Sequence, residues 1–221
     1  GAELGATSTV FPSDQEIKRF LKEQGREGDW VELKADDGAT YDINEEINLS
    51  EVVPLVAKPT SPGNVVPVSE IAGTPIYQSY IGSSANPGYH DFAIAAEIVK
   101  GKQIAKGVSF DINPTSRQML TDLLQEGHIA SFIQAGGRLH QAGCNGCIGM
   151  GQAPATGRNS LRTTPRNFPG RSGTSADSVF LSGTKTAAAS VLTGVITDPR
   201  TLGRQAPTVR VIKTTKLDFT L

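Results

Sequence analysis

Three stretches of the chain repeat the order strand, polar loop, helix, and this order restricts the fold more than any other feature. The strand patterns lie at 76–81, 107–112 and 178–181, and the helical patterns that follow them lie at 89–99, 116–125 and 185–192. Strands that alternate with helices form parallel sheets covered by those helices. The sequence therefore predicts an α/β fold, a three-layer α/β/α arrangement with a mainly parallel sheet.

The polar loops of this pattern predict where a ligand would bind. In parallel sheets, ligands collect beyond the carboxyl ends of the strands, where the connecting loops meet. We therefore expect the loops at 82–88, 113–115, 143–151 and 182–184 to lie near one another.

The rest of the chain supplies shorter elements. Ser13 to Glu16 has the spacing of a helix capping box, and the apolar residues after it predict a helix up to Gly25. Short strands are predicted at 30–33 and 52–56, and a further helix at 128–134 before Gly136. We expect residues 1–221 to form a single domain, with 201–221 as a tail or a linker toward an absent domain.

Composition excludes several classes of function. The 221 residues carry 21 basic and 22 acidic side chains, a net charge of -1, and only 6% are aromatic, so nucleic acid is an unlikely partner. The sequence has no run of 18 apolar residues and no secretory pattern, which predicts no membrane partner. Two cysteines two residues apart are no disulfide framework, so we expect a reducing, cytoplasmic location.

The stretch from Gly143 to Arg171 concentrates the groups that carry chemistry. It contains both cysteines, Cys144 and Cys147, and residues 127–176 contain no Asp or Glu. Four arginines follow the cysteines: Arg158, Arg162, Arg166 and Arg171. Soft sulfur ligands beside guanidinium groups suit an anionic metal centre, a polycarboxylate or a phosphate.

The CxxC spacing alone leaves four interpretations open: a redox pair, half of a zinc site, a pair of cluster ligands, or two buried inert thiols. Zinc needs four ligands, and the remaining candidates are His90, His128 and His140. An iron–sulfur cluster needs at least one ligand more than the two thiolates supply. His140, four residues before Cys144, is predicted to be a packed or surface histidine.

Four motifs in order resemble the aconitase family of hydro-lyases. They read GAELGATSTVFPSD at the start, then IGSSANPGYHD, GCNGCIGM and PRNFPGR, and LSGTKTAAASVLTGVITDPR after them is also similar. The resemblance implies the cluster-bearing third domain of a longer protein, with the other domains of that protein as partners. It also implies that the chain alone is inactive, because the acid–base residues of the family lie in the other domains.

The resemblance implies ligands for a 4Fe–4S cluster. Cys144 and Cys147 match two of the three cysteines that hold the cluster in this family, and the third cysteine falls at Ser84. A serine oxygen is a harder and more basic iron ligand than a thiolate. Three alternatives follow: Ser84 binds the iron, another part of the protein supplies a thiol, or this relative has lost the cluster.

The resemblance also implies residues that contact a substrate. Arg166 and Arg171 match arginines that bind substrate carboxylates, and Glu3 matches a catalytic glutamate near the cluster and its bound water. Pro165 stands where the family has an asparagine that contacts substrate. We predict a turn role for Asn86, and we interpret Arg158 and Arg162 as solvent-facing or phosphate-steering charges.

The implied function is an aconitate hydratase-like lyase that isomerises citrate and isocitrate, as in the tricarboxylic acid cycle, by dehydration and rehydration at the cluster. The partner is then a tricarboxylate or hydroxy-acid substrate. Two alternatives stay open: a non-catalytic scaffold or binding module that has lost the cluster, and a related isopropylmalate or homocitrate isomerase.

Overall fold

The computed structural model describes residues 6–175, 178–203 and 207–216. Residues 6–52 and 212–216 belong to one compact unit, and the described residues between 53 and 211 form a second. The single domain over 1–221, with its tail from 201, stays a prediction, although residues 212–216 group with the N-terminal part rather than with 201–211. None of the helices in the described ranges combines the length and apolar character needed to span a bilayer.

The first unit contains helix α1, Gln15–Glu23, which confirms the predicted helix. The cap is Asp14 rather than Ser13, because its carboxylate accepts from the amides of Glu16 at 2.9 Å and Ile17 at 3.3 Å. The strand predicted at 30–33 is wrong: only Leu33 pairs, in a single antiparallel bridge with Ser13. The described residues 34–52 contain no strand that could extend this bridge into a ladder.

The second unit is built on a seven-stranded sheet, which confirms the mainly parallel α/β class. The strands are β1 Leu55–Ala57, β2 Val65–Pro67, β3 Gln78–Gly82, β4 Ser109–Asn113, β5 Arg138–Leu139, β6 Asn159–Arg162 and β7 Ser178–Ser182. Their order is β2-β1-β7-β6-β3-β4-β5, parallel from β7 to β5 and antiparallel at β1 and β2. The sequence did not predict β2, β5 and β6.

The helices of the second unit match the predicted ones, with one short addition. They are α2 Val68–Ile71, α3 Tyr89–Val99, α4 Arg117–Gln125, α5 His128–Ala135 and α6 Thr184–Thr193. Gly136 follows α5 in the left-handed conformation at φ 105°, which explains why the helix ends there. Helix α3 contacts α4, α5 and α6, and α5 and α6 contact strands β5 and β3, so these helices form a connected group against the sheet.

The two faces of the central strands differ in chemistry. On one face, Ser79 of β3 is level with Phe110 of β4 and Leu161 of β6, and its hydroxyl donates to the Ala187 carbonyl of α6. Phe110 meets Phe132 of α5 edge to face, with ring centroids 5.8 Å apart. This face packs against the helices and forms the apolar core.

The opposite face is equally buried but polar. Six fully buried residues lie on this face, in register across β3, β4 and β6: Gln78, Tyr80, Asp111, Asn113, Ser160 and Arg162. Buried polar groups are stable only when they are hydrogen-bonded. The sheet is therefore apolar toward its helices and builds a hydrogen-bonded network on the other side.

Ala188 tests how closely α6 packs. Ala187, Ala188 and Ala189 are fully buried in α6, which contacts both α3 and β3. Ala188→Leu overfills this interface, and we expect it to lower the free energy of unfolding by about 1–3 kcal/mol. Lys185→Leu, on an exposed position of the same helix, should change it by less than about 0.5 kcal/mol. Equal unfolding midpoints in urea would contradict this packing.

His128 gives a pH dependence. Burial lowers its pKa below the ordinary 6.5; Glu97 and Glu126 oppose this effect and Lys100 adds to it. Between the folded and unfolded pKa values the unfolded chain binds more protons, so this contribution to stability is complete above pH 6.5 and is lost as the pH falls. We expect the parent to lose more stability than His128→Gln between pH 7.5 and 5.5 in denaturant titrations. An equal loss would show that His128 titrates alike in both states.

Candidate functional site

The two cysteines lie in a loop at the carboxyl end of the sheet. This cysteine loop, residues 140–152, follows β5, and its first residue donates from the His140 amide to the Ile112 carbonyl at 2.8 Å. The Gly143 amide donates to the Pro114 carbonyl at 2.9 Å. A short 3-10 turn, Gly146–Ile148, leaves Cys144 exposed and Cys147 buried.

Arg162 lies beneath the cysteine loop and is fully buried, so the interpretation of it as a solvent-facing charge is wrong. It ends β6, whose register places it beside Tyr80 on the polar face. Its guanidinium donates to the carbonyls of Gly146 at 2.6 Å and Gln152 at 2.7 Å. It also donates to Ser160 Oγ at 2.9 Å and Gln78 Oε1 at 2.7 Å. The unpredicted strand β6 is what carries this charge inward.

Tyr80 joins the same network from β3. Its hydroxyl accepts from the Gly146 amide at 3.1 Å and donates to Asn113 Oδ1 at 2.5 Å. The Arg162 guanidinium lies 4.8 Å from the centre of its ring, a cation–π distance. Burial raises the pKa of Tyr80 to about 12, so the phenol keeps its proton and remains a donor at neutral pH.

His140 is a packed histidine, as predicted, and its partner is a buried carboxylate. Asp111 Oδ1 lies 2.9 Å from His140 Nε2 and 3.3 Å from Arg138 Nε. Asp111 Oδ2 accepts from Gln78 Nε2 at 3.0 Å and Ser109 Oγ at 2.7 Å. The acid-free stretch thus receives a negative charge from β4, outside its own sequence.

Two of the four loops predicted to converge, 113–115 and 143–151, are joined by a hydrogen bond, and the loop at 82–88 is bonded to the segment after β6. The Gly82 amide donates to Thr163 Oγ1 at 3.0 Å, and Asn86 Nδ2 donates to the Thr163 carbonyl at 2.8 Å. Asn113 Nδ2 donates to the Gln141 carbonyl at 2.8 Å. Asn86 therefore ties its loop to the segment after β6. Loop 182–184 follows β7, which lies parallel to β6, so it leaves the sheet at the same carboxyl end of the strands as the segment after β6.

The structure brings Arg171 to the cysteines. Residues 163–175 form the arginine segment, which follows β6. Arg171 is half-buried and donates from Nη1 to the Cys147 carbonyl at 3.0 Å, while its Nη2 lies 3.5 Å from Cys147 Sγ. Arg166 is half-buried in the same segment, and Ser84 is exposed in the loop after β3. Glu3 lies outside the described residues.

The surroundings of Cys147 act on its pKa in both directions. Burial raises the pKa of the Cys147 thiol, and the adjacent Cys144 thiol, within hydrogen-bond reach, raises it further. The positive charges of Arg171 and Arg162 lower it. Cys147 therefore lies next to the Cys144 thiol and within the field of two guanidinium groups, which favours an anionic occupant.

The donor set fits a pair of cluster ligands. Two adjacent thiols are soft donors of the kind that iron–sulfur clusters use. Among residues 6–175, 178–203 and 207–216, no three His, Cys, Asp or Glu side chains come together as a metal-binding group. The described residues therefore form no four-ligand zinc site, and a third cluster ligand would be another kind of group, such as the Ser84 hydroxyl, or a thiol from outside them.

The arginine segment also contains buried polar atoms that have no hydrogen-bond partner among the described residues. They are Thr164 Oγ1, Asn167 Oδ1 and Ser172 Oγ. Ser172 is fully buried beside the point where this segment meets the cysteine loop: a Cβ on Gly149 would lie 2.4 Å from Gly173 Cα. Only a glycine allows this approach, so the two segments are in direct backbone contact.

Comparison with known proteins gives one consistent result. The model of the aconitase family (aconitate hydratase) matches residues 1–75 and 69–194. The chain is 41% identical over 199 residues to 3-isopropylmalate dehydratase large subunit 2 of Archaeoglobus fulgidus, covering 90% of this chain and 48% of that protein. It is 42% identical over 205 residues to the 3-isopropylmalate dehydratase large subunit of Saccharolobus solfataricus, covering 91% and 48%. The chain thus spans about half the length of the curated relatives it matches.

Gly149 and Gly151 provide a matched test of the contact between the two segments. Both have positive φ, +81° and +95°, but a Cβ on Gly151 would meet nothing within 4 Å. An alanine at either position is strained by the positive φ, but only Gly149→Ala also places a Cβ against the Gly173 backbone. We expect Gly149→Ala to raise proteolysis or hydrogen exchange at residues 163–175 far more than Gly151→Ala does. Equal effects would show that the contact does not hold the arginine segment.

Proposed function

The chain belongs to the aconitase family of iron–sulfur hydro-lyases, and from this premise we propose that it is the cluster-bearing part of an enzyme that isomerises 3-isopropylmalate or a close analogue. The relatives named above support this substrate class over citrate, because their names specify 3-isopropylmalate dehydratase. The chain covers only 48% of the first of them, so the activity belongs to the whole protein. The single observation that carries the proposal is the contact of Arg171 with Cys147.

Cys144 and Cys147 would hold the cluster. Their thiols are adjacent, and Cys147 is buried beside two positive charges, as suits ligands of an anionic group. A cluster iron with an open coordination position supplies Lewis-acid chemistry to a substrate hydroxyl and carboxylate. Ser84, at the third ligand position of the resemblance, is exposed at the converging loops and is our candidate for the third ligand.

Arg171 and Arg166 would bind the substrate carboxylates. A guanidinium forks onto a carboxylate through two charge-assisted hydrogen bonds. Arg171 is already aimed at the cysteine loop, so a carboxylate that it binds would lie beside Cys147. Glu3, which the resemblance assigns to proton handling, stays a proposal on sequence grounds alone. Pro165 has no amide side chain, so it removes one hydrogen bond that an asparagine would give the substrate.

Citrate and isopropylmalate differ in the groups that such a site must bind. Both are hydroxy acids with neighbouring carboxylates, but citrate has three carboxylates and isopropylmalate has two and a branched alkyl group. The relatives are named large subunits, so we also propose a separate small subunit as a partner. That subunit would complete the pocket around the variable group.

A second candidate is a non-catalytic binding module without a cluster. The observation that favours it is the exposed Ser84 hydroxyl at the third ligand position. A hydroxyl must lose a proton of high pKa to bind iron as a thiolate does. The scaffold would keep the arginines as an anion-binding surface but would take up no iron.

Anaerobic reconstitution with iron and sulfide separates the two candidates. We expect the parent and Ser84→Cys to give the visible spectrum of a cluster and about four irons per chain. Cys147→Ala, which removes the thiolate and offers no oxygen in its place, is the control and should stay colourless. Colour in Ser84→Cys alone would show that the parent is the non-catalytic module, or that it takes its third ligand from another part of the protein. No colour in either the parent or Ser84→Cys would overturn the cluster proposal.

Arg171→Lys tests the carboxylate role in the whole protein that contains this chain. A lysine keeps the charge but cannot make the bidentate contact, so we expect KM for isopropylmalate to rise on the order of ten-fold or more. Arg158→Lys changes an exposed arginine of the same region and should leave KM unchanged. A KM for Arg171→Lys equal to that of the parent would remove Arg171 from substrate binding.

A further inference from the structure

We infer that Arg162 and Tyr80 are positioning residues that hold the cysteine loop in its ligand-binding shape before any cluster arrives. The sequence analysis did not single out Tyr80 and interpreted Arg162 as a solvent-facing or phosphate-steering charge, whereas both point from the sheet into the loop. The inference rests on the proposed function only in that the loop is taken to bind a cluster. How firmly the loop is held can be measured without one.

One guanidinium closes the cysteine loop at two points. Arg162 Nη1 donates to the Gly146 carbonyl at 2.6 Å, next to Cys147, and Nη2 donates to the Gln152 carbonyl at 2.7 Å. The same side chain is anchored to the sheet through Ser160 and Gln78. The guanidinium is planar and its donors point in different directions, so its bonds to the sheet and to the loop fix the position of the loop relative to β6.

Tyr80 holds Gly146, one of the two residues between the cysteines, through its backbone amide. Its hydroxyl accepts from the Gly146 amide at 3.1 Å, so both polar groups of the Gly146 backbone are bound to side chains of the sheet. A Cβ on Gly146 would lie 2.6 Å from Tyr80 Cε2. The backbone between Cys144 and Cys147 thus rests directly on the tyrosine ring.

Apolar packing does little to hold this loop. In the loop, Ile148 is 40% exposed and Met150 is 60% exposed, whereas the side chain of Cys147 is buried. A buried guanidinium is costly to desolvate and persists only with its hydrogen bonds made. Because Arg162 makes two of those bonds to the loop itself, releasing the loop would leave part of a buried charge unsolvated. The charge and the loop conformation therefore support each other.

Hydrogen exchange on the metal-free chain tests the inference directly. In Arg162→Met we expect exchange of residues 144–152 to rise at least ten-fold above any change in α3, and in Tyr80→Phe we expect a smaller rise centred on Gly146. Leu161→Ala is the control: Leu161 precedes Arg162 in β6 and is fully buried, but its side chain lies on the helix face. It should raise exchange throughout the second unit without singling out the loop.

Arg162→Lys separates charge from geometry. A lysine keeps a positive charge but offers its donors from one atom, so it cannot span the Gly146 and Gln152 carbonyls together. We expect it to fail to restore protection of residues 144–152. In a background that binds iron, the parent or Ser84→Cys, both Arg162 variants should also hold less than half the iron and show an altered visible spectrum. Arg158→Met should match the parent in both measurements.

Unchanged protection of the loop in Arg162→Met, or an equally selective rise in Leu161→Ala, would overturn the inference. If Arg162→Lys restored the protection of residues 144–152 from exchange, a positive charge alone would hold the loop, and the positioning role of Arg162 would be refuted. If Arg162→Met does not fold, Tyr80→Phe and Arg162→Lys decide the matter in its place. A chain that takes up no iron but loses loop protection in these variants would refute the proposed function and keep the inference.

Discussion

The hydrogen bonds of the buried Arg162 guanidinium are the interaction on which the site depends. They join two strands of the sheet to the middle and the last residue of the cysteine loop, with the Tyr80 ring 4.8 Å away. A charge of this kind is stable inside a protein only when its donors are satisfied. Strands β3, β4 and β6 accordingly carry Gln78, Asn113 and Ser160 where an ordinary sheet would carry aliphatic residues. The sheet is thus specialised on one face for stability and on the other for holding a loop.

The site is assembled by backbone contact as much as by side chains. Gly146 rests on the Tyr80 ring, and Gly149 touches Gly173. These contacts bring the cysteines and Arg171 together although 24 residues separate Cys147 from Arg171. An anion held between them would meet thiols on one side and a guanidinium on the other. The family assignment and the geometry therefore support the same kind of ligand.

The sequence predicted the fold where apolar periodicity was strong, as in α3, α5 and α6. It did not predict β6, because Asn159, Ser160 and Arg162 have no strand pattern of their own and are buried only by partners distant in sequence. For the same reason it placed Arg162 in solvent. Arg171 was recognisable from its motif, whereas Tyr80 and Asp111 gave no signal. Their roles arise from register across β3, β4 and β6, which one sequence cannot show.

The apolar face of the sheet, with its helix layer, bears on how a cluster would be acquired. Many metal sites fold only when the metal binds, and part of the binding energy is then consumed in ordering the chain. Here the core of α3, α5 and α6 and the network under the loop consist of contacts made by the chain's own residues. With the loop held by Arg162 and Tyr80 as inferred, a cluster would bind to a chain already in its binding-competent form, and the apparent affinity would carry little conformational penalty. Cluster insertion would then be ligand exchange on a pre-formed loop, with a rate set by the donor that delivers the cluster rather than by folding of the acceptor.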